Sequence, residues 1–100
     1  MIKVTIEVIS RLKKDFGHES LQPLVIEETI RTGTSILDLL HTIAGRYPIF
    51  SRKAFTMKPR VTFDYCAVSC NKTLISGLTE LDTKLKNGDT VKLLPHIYGG

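Results

Sequence analysis

The residues most able to do chemistry in this chain are its last five, His96, Ile97, Tyr98, Gly99 and Gly100. They follow a strand-like stretch, Thr90, Val91, Lys92, Leu93, Leu94 and Pro95. A run closing on two glycines presents a main-chain carboxylate on a backbone with no side chains to widen it. Without Cβ atoms, such residues take backbone angles closed to others and enter channels too narrow for any side chain. Five extended residues reach roughly 17 Å at about 3.3 to 3.6 Å each. An arm of residues 96–100 can therefore place its carboxylate in another protein's active site while a domain of residues 1–95 stays outside. Pro95, with no N–H and a fixed φ, is positioned to end the strand ladder and start the arm. Gly100 is the candidate reactive residue. Gly99 gives it access, and Pro95, His96, Ile97 and Tyr98 set the arm's direction.

Other reactive side chains form no recognisable constellation. Cys66 and Cys70 on one strand would stand roughly 13 Å apart at about 3.3 Å per residue, past the ~7 Å limit for a disulfide. They are expected to be small buried hydrophobes, and nothing at their spacing supports a sulfur relay. His18, His41 and His96 fall in a loop, a helix and the arm, with no cysteine or carboxylate at metal-ligand spacing. No metal site is expected. The chain has no GxGxxG run, no phosphate-binding loop and no GxSxG elbow. It is therefore expected to bind no cofactor and to be no enzyme by itself.

Composition sets the class. One hundred residues, 42% hydrophobic and 24% charged, make one ordinary globular domain and not a disordered chain. No apolar run approaches the ~20 residues of a membrane span. The start, Met1, Ile2, Lys3, Val4, alternates where a signal peptide would be continuously apolar. A cytoplasmic protein with no membrane partner is expected. The net charge of +4 favours anionic partners, although most of these charges are expected on a solvated face.

The elements that must position the arm follow from periodicity. Ile2, Val4, Ile6 and Val8 alternate with Lys3, Thr5 and Glu7, which marks a half-buried strand. Residues 11–19 are polar, contain Gly17, and read as a long hairpin connection. Residues 23–30 form a second strand, with Leu24, Ile26 and Ile30 on one face and Glu27 and Thr29 on the other. After Gly33, Ser35 is placed to cap a helix with Asp38 in the reciprocal position. Ile36, Leu39, Leu40, Ile43, Ala44 and Tyr47 form its apolar stripe, and Pro48 is expected to stop it. Residues 47–60 lose the pattern and read as a basic loop. Residues 61–71 change parity near Tyr65, which suggests a bulge or a late-starting strand. A turn at Asn71 and Lys72 leads to a short strand over 73–76. Leu78, Leu81 and Leu85 suit one or two helical turns, and Gly88 is placed for a left-handed stop. A last strand covers 90–94. The order is β-β-α-β-β-β, with a short helical turn before the last strand.

The run Leu85, Lys86, Asn87, Gly88, Asp89, Thr90, Val91, Lys92, Leu93, Leu94, Pro95, with its short arm to Gly99 and Gly100, resembles the C-terminal signature of the ubiquitin-like sulfur carriers. These include the molybdopterin synthase small subunit, the thiamine sulfur carrier and the ubiquitin-related modifiers, and the run is most similar to the first. The resemblance implies an α+β, β-grasp (ubiquitin-like) fold, a mixed sheet of four to five strands with one main helix packed across it and the last strand central and parallel to the first. It implies that a partner adenylyltransferase of the ubiquitin-activating type uses ATP on Gly100. Sulfur then replaces one carboxylate oxygen, and the thiocarboxylate goes to the large subunit of molybdopterin synthase or to another acceptor. A carrier for thiamine or tRNA thiolation, or a modifier joined to lysines, belongs to the same class.

Such a carrier needs a docking surface, expected as an apolar patch with a polar rim on the outer face of the sheet. Leu94, Ile97, Tyr98, Phe50 and Phe55 are its candidate residues. A small RNA-binding module is the competing class. Arg46, Arg52, Lys53, Lys58 and Arg60 interleave with Phe50, Phe55 and Met57, a pattern that can neutralise phosphates and stack bases. A solvated loop with its aromatics tucked inward accounts better for the same residues, so a nucleic-acid partner is not expected.

Overall fold

Strict alternation builds the first strand, β1 (Ile2–Val8). Val4, Ile6 and Val8 are buried, while Lys3, Thr5 and Glu7 occupy the other face. The computed structural model describes residues 1–18, 20–55, 66–75 and 78–95. Four more strands follow: β2 (Leu24–Ile30), β3 (Cys66–Cys70), β4 (Thr73–Ile75) and β5 (Thr90–Pro95). They form one mixed sheet in the order β2-β1-β5-β3-β4. β5 runs parallel to β1 and antiparallel to β3, so the last strand is central, hydrogen-bonded on both sides. This is the β-grasp arrangement that the resemblance implies.

Helix α1 (Ile36–Ala44) crosses the inner face, with Ile36, Leu39, Leu40 and Ile43 fully buried. Its start is the expected capping box. Ser35 Oγ accepts from the Asp38 N–H at 3.1 Å, and Asp38 Oδ2 accepts from the Ser35 N–H at 3.4 Å. Both satisfy donors that a helix N-terminus otherwise leaves unpaired. Residues 83–85 fasten this end to the sheet, the Ile36 N–H donating to Thr83 O and the Leu85 N–H to Thr34 O.

Three local expectations are corrected. The connection between β1 and β2 does join an antiparallel hairpin, but it is not all loop, since a 3-10 helix covers Ser10–Phe16 and ends on Gly17 at φ 70. It buries Leu12 and Phe16, and also Lys13, whose ammonium donates to the carbonyls of Ser20 and Gln22. Helix α1 ends at Ala44 and not at Pro48. Tyr47 stands outside the helical region, at φ −128 and ψ 89, as a residue before proline tends to, and Pro48 then opens a second helix, α2 (Pro48–Ala54). Its missing N–H costs nothing there, because the first turn has no acceptor for it. The supposed basic loop is therefore half helix, with residues 56–65 outside the described ones.

Aromatic packing holds α2 in place. Phe16 lies 4.7 Å from Tyr47 and 4.9 Å from Phe50, ring centre to ring centre, and Phe50 meets Phe55 edge-on at 6.3 Å. The leucine turns before β5 are a second 3-10 helix, Leu78–Asp82, with Leu81 buried in it and Leu85 buried beyond it. Gly88 does take a left-handed φ of 90. It ends no helix there, and instead turns the chain so that its N–H donates to Lys3 O at 2.8 Å.

Replacing Ser35 with Ala is expected to lower unfolding free energy by about 1 kcal/mol in urea titration, and Ser35→Gly by only a few tenths of that scale. Equal stability for Ser35→Ala and the wild type would remove the capping box from the account.

Candidate functional site

The end of β5 is the candidate site, and its placement is decided upstream, where the strand begins. Asn71 and Lys72 both have positive φ, 50 and 74, as a two-residue type I′ hairpin between β3 and β4 requires. That geometry lets the Asn71 side chain clamp the neighbouring strand. Its Oδ1 accepts from the Thr90 N–H at 2.9 Å, and its Nδ2 donates to Asp89 Oδ1 at 2.7 Å. Asp89 Oδ2 accepts from the Lys86 N–H at 2.7 Å, and the Lys3 N–H donates to Asn87 Oδ1 at 2.9 Å. The first residue of β5 is thus tied to the β3–β4 turn, and the segment before it to β1.

Along β5, Val91 and Leu93 are fully buried in the core, and Thr90, Lys92 and Leu94 face outward. Leu94 pairs with Ala67 and Pro95 with Cys66. Pro95 is therefore still in the strand and is its last described residue, where it was expected to end the ladder. Its lack of an N–H suits a ladder's final position. His96, Ile97, Tyr98, Gly99 and Gly100 lie outside the described residues.

Two docking candidates fall elsewhere. Phe50 is 1% exposed and belongs to the core, so the expectation that it meets a partner is corrected. Periodicity failed to mark it because α2 offers only one turn of apolar spacing, Phe50 and Ala54. Phe55 is half-buried against the same core, and the His41 ring stacks on it at 4.3 Å. Leu94 alone of the described candidates stands on the outer face of the sheet.

That face also departs from an apolar patch with a polar rim. The strand registers place Val25, Glu7, Lys92, Ser69 and Leu74 in one row straight across the sheet. Val25 and Leu74, at its ends, are 53% and 58% exposed. The centre of the row is charged, with Lys92 Nζ 3.7 Å from Glu7 Oε2. Only the cross-strand register brings these residues together, and no motif in the sequence announces it.

The aromatic and basic residues of 46–55 do not form a stacking surface. Arg46 pairs with Glu28, and Lys53 with Asp15 at 3.2 Å, while Phe50 and Phe55 turn inward. Lys58, Arg60 and Met57 lie outside the described residues. Among the described residues no three His, Cys, Asp or Glu side chains are grouped to hold a metal. No described helix is long and apolar enough to cross a membrane.

Both cysteines are free thiols. Burial pushes the Cys66 thiol from 9.0 up to about 12. Cys70 is raised by burial and then by the Asp89 carboxylate. A thiol held in its protonated form is a poor nucleophile, so neither cysteine is suited to relay sulfur near neutral pH. The Cys66 shift also has a signature in stability. The folded state keeps a proton that the unfolded state loses above 9.0, so the contribution is complete below 9.0 and is lost as pH rises toward about 12. Between these limits Cys66→Ala is expected to flatten the loss of stability by about 1.4 kcal/mol per pH unit. Parallel wild-type and variant profiles in denaturant titrations would contradict the assigned burial.

SAMP1 from Haloferax volcanii matches the fold at a TM-score of 0.76 and 17% identity, over 98% of this chain and 99% of that one. A putative molybdopterin converting factor subunit 1 from Pyrococcus furiosus matches at 0.71 and 22%, over 97% and 100%. The molybdopterin-converting factor of Helicobacter pylori 26695, a complex of subunits 1 and 2, matches at 0.55 and 21%, over 99% and 100%. At these identities the likeness shows a shared fold. No curated protein sequence is significantly similar to the chain. The ThiS family model matches residues 19–100. That is well over half of the chain, which therefore belongs to the ThiS family, among the ubiquitin-like sulfur carriers.

Proposed function

We propose that this protein carries sulfur on Gly100 as a thiocarboxylate and delivers it in molybdopterin synthesis. The observation that supports this most directly is the position of β5. It is the central strand, paired on both sides, and its last residue, Pro95, leads into a segment closing on Gly99 and Gly100. A carrier's task is positioning, and a reactive group held on a rigid body gains effective concentration at its target.

In this reading the Gly100 carboxylate oxygen attacks the α-phosphorus of ATP on a partner adenylyltransferase, and pyrophosphate leaves. Hydrosulfide from a separate donor then attacks the acyl carbon and displaces AMP, which leaves the thiocarboxylate. Residues 1–95 supply the docking surface, and the arm supplies the acyl carbon. The ATP belongs to the partner. The likeness to two molybdopterin-converting factor structures favours the large subunit of molybdopterin synthase as the acceptor. A second reading has its own support, because the fold matches SAMP1, a small archaeal modifier protein, with a TM-score of 0.76. In this second reading a lysine amine of a target protein displaces AMP from the activated Gly100 and forms an isopeptide bond.

Intact mass spectrometry of the protein purified from its own cells is expected to show a species with one oxygen exchanged for sulfur at Gly100. Deleting Gly100 alone should abolish that species without changing the unfolding midpoint. Gly-Gly remnants on lysines of other proteins, with no sulfur-bearing species, would replace the carrier reading with the modifier reading. Sulfur transfer that survives the deletion would overturn both.

A further inference from the structure

The outer face of the sheet holds an open depression of about 350 Å³, lined by Glu7, Ser69, Asn71, Lys72, Thr90 and Lys92. It lies on β5 beside the ion pair described above, three residues before Pro95. Its walls bring two ammonium groups against one carboxylate, so one positive charge is in excess. Lys72 makes no ion pair among the described residues. The pair of Lys92 and Glu7 is 3.7 Å long, with side chains 39% and 30% exposed. Pairs this exposed contribute little, so an incoming group can open it at little cost.

We propose that this depression seats a carboxylate side chain, Asp or Glu, presented by the adenylyltransferase that takes the arm. This inference rests on the carrier reading and adds to it the partner's chemistry at the docking surface. The incoming carboxylate lies between Lys92 and Lys72 and accepts charge-assisted hydrogen bonds from both. Ser69 and Thr90 line the same depression.

Charge and shape together favour a protein over a polyanion. A phosphate dianion or a run of phosphodiesters would bring more than one negative charge against the Glu7 carboxylate in the wall, where a single carboxylate brings one. The exposed aliphatic side chains of Val25 and Leu74 also offer nothing to phosphates, but suit apolar groups flanking a polar centre. These two ends are four strand spacings apart, roughly 19 Å at about 4.8 Å each. That span fits within one side of a standard interface of about 800 Å².

The test is pyrophosphate exchange catalysed by the ubiquitin-activating-type adenylyltransferase from the same cell, with this chain as the varied substrate. Lys92→Gln is expected to raise KM about ten-fold at low salt, the equivalent of one charge-assisted contact. Its kcat should stay within about two-fold, and the difference should shrink as salt screens the contact. Glu7→Gln should leave KM unchanged or lower it, because Lys92 is then unpaired. Unfolding midpoints of both variants should match the wild type, which separates docking from folding. Exchange with the wild type but an unchanged KM for Lys92→Gln and Lys72→Gln would overturn this inference alone. No exchange with the wild type would overturn the carrier reading and the inference with it. Saturable shifts of the Lys92 amide resonance with inorganic phosphate or single-stranded RNA, at concentrations where the enzyme gives none, would also overturn it.

Discussion

Parallel pairing of β1 and β5 is the constraint on which the rest depends. A parallel pair cannot be closed by a tight turn and needs a crossover long enough to return the chain to the same end of the sheet. Here the intervening chain supplies α1, α2 and the β3–β4 hairpin, which also cover the inner face and extend the sheet on its far side. β5 can then sit between β1 and β3 with both edges satisfied, and its buried residues Val91 and Leu93 enter a core already formed by α1. The final strand is therefore held along both edges. A segment leaving it starts from a fixed point and a fixed direction.

Small polar contacts complete that placement. Asn71 bonds the first amide of β5 and the Asp89 carboxylate from a turn whose left-handed backbone it adopts readily. Lys3 and Asn87 join the start of β1 to the turn before β5. Both groups of contacts act at the strand's beginning, so they set its register against its neighbours and with it which residues face outward. Lys92 and Leu94 face outward only because Val91 and Leu93 are held inward.

The β-grasp architecture was readable wherever one residue's neighbours in sequence are also its neighbours in space. The alternation from Ile2 to Val8 and the pairing of Ser35 with Asp38 are of this kind, and the turn at Asn71 and Lys72 falls where it was expected. The parallel placement of β5 followed from family resemblance and not from periodicity. Short elements were hidden. In the 3-10 helix over Ser10–Phe16 the buried positions among the described side chains are Leu12, Lys13 and Phe16, set among charges and too few to show a period. Pro48 was ambiguous because proline both disfavours helix in the residue before it and suits the first position of the next helix. Phe50 was misplaced for the same reason, since without α2 nothing turned it inward. The charged centre of the outer face was unreadable in principle, because Glu7 and Lys92 meet only through a strand register that long-range packing decides.

Native-state hydrogen exchange of the β5 amides is the most direct measure of the central claim, that the strand leading into the segment proposed to carry sulfur is held along both edges. Protected sites in such a strand open only with the whole molecule. The amides of Val91 to Leu94 are therefore predicted to exchange with the same free energy as global unfolding, and with the same denaturant dependence. Exchange of these amides through local opening, at free energies well below the global value and insensitive to denaturant, would contradict the account.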